Sequence, residues 1–123
     1  MKISDKISLT IILGYCVLHV LVLFQIIPHS LVWGGKIESI KTIYYLEALA
    51  LVILVFLASV IMMKNRMVKP VFYIETINRI LLLFAVFFML NTVGNLLAES
   101  IVEQCQAIIT LFLAILLFKS SKT

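Results

Sequence analysis

Four apolar runs, each long enough to cross a bilayer as a helix, take up most of this chain, at about 7–27, 43–63, 71–98 and 101–118. A helix rising 1.5 Å per residue needs about 20 apolar residues to traverse the hydrocarbon layer. Four such runs in 123 residues leave only short connections and no separate soluble domain. With 63% hydrophobic and 13% charged residues, the chain also lacks the polar surface to cover a soluble globule of its size. The expected fold is therefore all-α: one domain, 1–123, forming an integral membrane antiparallel four-helix bundle.

The connections carry boundary signals. Lys2 and Lys6 before the first run imitate a signal peptide, but the run is too long for one and no small-x-small cleavage site follows, so it reads as a retained helix. Pro28 ends it, Trp33 marks an interface, and Gly34-Gly35 permit a tight turn before the interfacial Tyr44-Tyr45. Pro70 is placed to open the third helix. Apart from Lys36, Lys41 and the intrahelical Arg79, every basic residue falls at one end of the bundle: Lys2, Lys6, Lys64, Arg66, Lys69, Lys119 and Lys122. The positive-inside rule then puts both termini in the cytoplasm and the Trp33 turn outside.

This distribution at helix ends also accounts for the net charge of +4 without nucleic acid, which would call for a basic stripe with interleaved aromatics. Cys16 and Cys105 lie at different depths and read as free thiols. There is no CxxC or CxxCH, no pair of histidines at matched depth for haem, and no metal-ligand cluster; no cofactor is expected.

An ionisable or strongly polar group in lipid must face the bundle, find a partner or mark a function. Most such groups fall towards the outer end. Asn91 and Asn95 share one face of the third run, with Gly94 between them expected to permit close helix approach. Glu99, Glu103, Gln106 and Thr110 line one face of the fourth. Glu47 and Gln25 belong to the same layer, and the turn adds His29 and Trp33. Turned inwards, Glu47, Asn91, Asn95, Glu103, Gln25, Gln106, His29 and Trp33 would line an outward-facing polar pocket. The plainer alternative is that they bond helix to helix and only fix the packing. Elsewhere His19 is the ionisable group at mid-membrane depth, suited to bonding a neighbouring helix or to relaying protons. Glu75 and Arg79 are spaced as an i,i+4 pair, with Arg79 alternatively free to meet lipid phosphate.

With Pro28, Trp33-Gly34-Gly35, Glu47, Asn91-Thr92-Val93-Gly94-Asn95 and Glu103 assembled, the chain resembles small uncharacterised four-helix bacterial membrane proteins with a Pro-x4-Trp-Gly-Gly outer loop and an Asn-Thr-x-Gly-Asn element in the third span. The resemblance implies the same four-span architecture and a bacterial cytoplasmic membrane, and carries no activity, cofactor or catalytic residue with it.

Three functions compete. The leading one is a non-enzymatic membrane protein whose outer pocket binds a small ligand, ion, lipid headgroup or partner. The second is a small homo-oligomeric transporter or channel that moves protons or cations through Glu47, Glu103 and His19, against which stand the apolar middle of the third run and the inner half of the fourth. The third is a lipid-modifying enzyme using Glu103 or Glu47 as general base and an asparagine as oxyanion donor, for which no nucleophile or histidine–carboxylate pair is apparent.

Overall fold

The computed structural model describes residues 2–24, 40–98 and 100–122. They form four helices: α1 (Ile3–Leu23), α2 (Ile40–Lys64), α3 (Ile74–Leu96) and α4 (Ile101–Ser121). Each packs against its neighbour in sequence, and α4 closes back on α1, so α1 faces α3 and α2 faces α4 across the diagonals. Two sets of contacts fix the direction of the helices. Asn65 Nδ2 donates to Asp5 Oδ2 at 2.9 Å, and Lys64 Nζ donates to Asn78 Oδ1 and to the Ser120 carbonyl. The start of α1, the end of α2, the start of α3 and the end of α4 thus meet at one basic end, and successive helices run antiparallel.

Side-chain size explains how closely the helices approach. The most extensive pairing is α3 with α4, where Ala85 and Thr92 meet a face carrying Ala107, Thr110 and Ala114, all buried. Short side chains let helix axes come together. Between α2 and α3 the contact is sparser and aromatic: the Phe56 ring centroid is 6.3 Å from that of Phe84 and 6.5 Å from that of Phe72. The middle of the bundle is filled by Ile12, Leu57, Ile61, Leu81, Leu113 and Leu117, each essentially inaccessible.

The outside is apolar as well. Leu13, Val52, Leu83, Leu90 and Ile108 are each at least 65% exposed, and all four helices are long and apolar enough to span a membrane. Only a hydrocarbon solvent accommodates such a surface without cost. The chain is a multi-pass membrane protein.

The boundaries differ from those expected. α1 begins at Ile3 and ends at Leu23, against 7–27; its first turn carries Asp5, whose carboxylate suits a helix N-terminus. α2 starts earlier than residue 43, and α4 continues through Lys119 to Ser121. α3 is shorter than 71–98, and Pro70 does not open it. After Lys64 the chain leaves α2 by a Schellman turn: Met67 N–H donates to the Met62 carbonyl at 2.9 Å and Arg66 N–H to that of Met63 at 3.1 Å. Arg66 holds the left-handed position, φ 57°, that glycine usually takes, which is why composition alone does not reveal the turn. The chain then stays non-helical past Pro70, Phe72 packs onto the core, and α3 starts at Ile74 with Tyr73 as its N-cap.

Gly94 departs from expectation too. It faces outwards, and a Cβ built there would meet nothing within 4 Å, so it is not where helices close on each other. That role belongs to the alanines and threonines of α3 and α4.

Candidate functional site

The buried face of α1 is read off its spacing: Asp5, Ser8, Ile12, His19 and Val22 recur every three, four or seven residues, and Tyr15 packs against the core between them. Four of these six groups are polar. The same periodicity places Glu47 on the buried side of α2, Thr92 on that of α3, and Glu103, Ala107 and Thr110 on that of α4.

Interhelical links among the described residues within the membrane-spanning region include two side-chain pairs. His19 Nδ1 is hydrogen-bonded to Glu47 Oε2, both side chains being buried between α1 and α2. Thr92 Oγ1 and Thr110 Oγ1 lie 2.9 Å apart and join α3 to α4, each hydroxyl also reaching a carbonyl one turn back in its own helix. The His19–Glu47 pair corrects the expectation that the chain holds no histidine–carboxylate pair. The two residues lie in different runs, so the partnership exists only once α1 and α2 are folded together.

Heights along the bundle follow from the contacts at the basic end. Lys64, Asn78 and Ser120 are linked there, on α2, α3 and α4. Counting seventeen residues from each towards the opposite end reaches Glu47, Asn95 and Glu103. At 1.5 Å per residue all three are about 25 Å from the linked level. His19, Asn91 and Gln106 lie roughly one turn deeper. Glu47 and Glu103 therefore approach the same level from diagonally opposed helices, and both are buried.

Their surroundings differ. Glu47 has His19. Glu103 is 5% exposed, and its Oε1 has no hydrogen-bond donor among the described residues. A buried carboxylate oxygen without a donor is costly, and native proteins rarely keep one without a reason.

Of the other expected site residues, Asn91, Asn95 and Gln106 are half-buried and flank this layer. Gln25, His29 and Trp33 lie outside the described residues, as do the Gly34-Gly35 turn and Glu99. Glu75 and Arg79 are both exposed, and among the described residues no ion pair joins them. Cys16 and Cys105 are free thiols. Comparison of the chain with models of known families, with curated proteins and with solved structures finds no match.

A second polar cluster was not anticipated from the sequence. At the basic end Asp5, 2% exposed, accepts from Asn65, which itself donates to the Ile61 carbonyl at 2.8 Å, while Lys64 ties Asn78 to Ser120. By charge placement alone Lys64 is one more basic residue at this end of the bundle. It is the last residue of α2 and half-buried.

Proposed function

We propose that this protein is a non-enzymatic binding protein of a bacterial cytoplasmic membrane, and that its ligand is a small protonated amine held in the polar layer of His19, Glu47, Asn91, Asn95, Glu103 and Gln106. The basic end faces the cytoplasm and the layer opens on the other side, as the distribution of lysines and arginines favours. The observation that carries the reading is Glu103: a buried carboxylate with one oxygen lacking any donor among the described residues, level with a second carboxylate that His19 engages. An ammonium group supplies both what that oxygen lacks, an N–H, and the missing positive charge. The half-buried carboxamides of Asn91, Asn95 and Gln106 add acceptors at the rim.

Binding rather than passage is favoured by the packing. The polar row of α1 is broken at Ile12, and Leu57, Ile61, Leu81, Leu113 and Leu117 close the bundle between the two polar clusters. Ethylammonium is a suitable probe for the purified protein in lipid nanodiscs. At about five times its Kd it is expected to stabilise the fold by about 1 kcal/mol, raising Tm by a few degrees. Tetramethylammonium, which carries the charge but no N–H, is expected to raise it less. An equal response in Glu103→Gln would contradict the proposal.

A further inference from the structure

At the basic end, away from the layer just described, a cavity of about 490 Å³ opens between the first turns of α1 and the last turns of α4. Its walls divide by chemistry. Lys2, the N-cap of α1, and Lys119 of α4 are both exposed and contribute one cation each. Ser4 and Ser120 add polar groups beside them. Ile3, Ile7 and Leu116 complete the lining, and Ile3 and Ile7 are open to the surroundings on the lipid-facing side of α1.

No carboxylate lines the cavity. The nearest in sequence, Asp5, is turned into the bundle, where it accepts from Asn65, and does not line the groove. The result is a cationic mouth at the level where a span leaves the hydrocarbon, continuous with an apolar wall that descends into it. That order of chemistry along a membrane normal matches one class of molecule.

We propose that this groove seats an anionic phospholipid, its phosphate between Lys2 and Lys119 and one acyl chain along Ile3, Ile7 and Leu116. The lysines supply charge, the apolar wall distinguishes a lipid from a soluble phosphate, and the site is independent of the amine-binding layer at the other end. Anionic lipids are concentrated on the cytoplasmic face, the side to which the positive-inside rule assigns this end.

The test is native mass spectrometry of the delipidated full chain in neutral detergent, titrated with dioleoylphosphatidylglycerol. Each lysine near a phosphate is worth about fivefold in affinity, so Lys2→Gln/Lys119→Gln should raise Kd about twenty-fivefold. The equally charged control Lys69→Gln/Lys122→Gln should change it less than about threefold, and Lys2→Arg/Lys119→Arg should retain binding. Inorganic phosphate should not displace the lipid. Equal losses in the groove and control variants would overturn the proposal, as would full displacement by inorganic phosphate.

Discussion

His19→Leu is expected to destabilise the fold by about 3 kcal/mol, measured by reversible unfolding from mixed micelles, because it removes the imidazole that engages the buried Glu47 carboxylate. Glu47 is entirely inaccessible, so water cannot take the place of the lost imidazole. Glu47→Leu removes the carboxylate from an imidazole that carries no obligatory charge and should cost less, about 1–2 kcal/mol. The double variant His19→Leu/Glu47→Leu removes both groups and should recover most of the loss, since replacing a whole buried pair by apolar side chains is often neutral or better. The coupling between the two positions separates a real partnership from two unrelated buried residues. Additive costs would mean that the pair contributes nothing as a pair.

A comparable loss is expected from Leu57→Ala, about 3 kcal/mol, while Val55→Ala two residues away should change stability by less than about 0.5 kcal/mol. Leu57 has no accessible surface and belongs to the central cluster, so truncation leaves a void that rigid neighbours only partly fill. Val55 is 57% exposed on the outer face of the same helix. Outside, lipid chains replace the lost methyl groups. Because both residues are aliphatic and at nearly the same depth, the contrast isolates packing between helices from simple hydrophobicity. Similar costs at the two sites would mean that α2 is rotated from the orientation described.

The same contrast explains what was legible in the sequence. Four spans and an all-α bundle follow from run length and charge placement, since a bilayer imposes both directly. Which face of each helix turns inwards does not. Leu57 and Val55 look alike on paper, because lipid favours apolar side chains outside as much as the core does inside. Polar groups break that degeneracy: Glu103 and Thr110 were placed on one face of the fourth run and are both buried, with Gln106 half-buried between them. Thr92, the residue of α3 that makes the bond to α4, does not stand out in the sequence beside its carboxamide neighbours Asn91 and Asn95. A hydroxyl that bonds its own helix carbonyl passes easily as apolar.

The His19–Glu47 pair was open to inference. The two residues lie equally far on either side of Trp33, the middle of the expected turn, and a hairpin folded there brings them to one depth. Helix ends were less accessible. Arg66 in a left-handed conformation and the start of α3 at Ile74 depend on Schellman bonds and on Phe72 packing that no single residue advertises. Asp5 likewise reads as a surface charge until Asn65 folds back to meet it.

Carboxylate labelling of the native protein tests most directly whether the polar layer holds an open, buried acid. Hydrophobic dicyclohexylcarbodiimide reaches carboxyl groups from the membrane, and peptide mass spectrometry locates the adduct. In lipid nanodiscs the adduct is expected on Glu103 in preference to Glu47, whose carboxylate His19 engages, and ethylammonium should suppress it while tetramethylammonium suppresses it less. Labelling of Glu47 in preference to Glu103, or modification of Glu103 that ethylammonium leaves unchanged, would contradict the account.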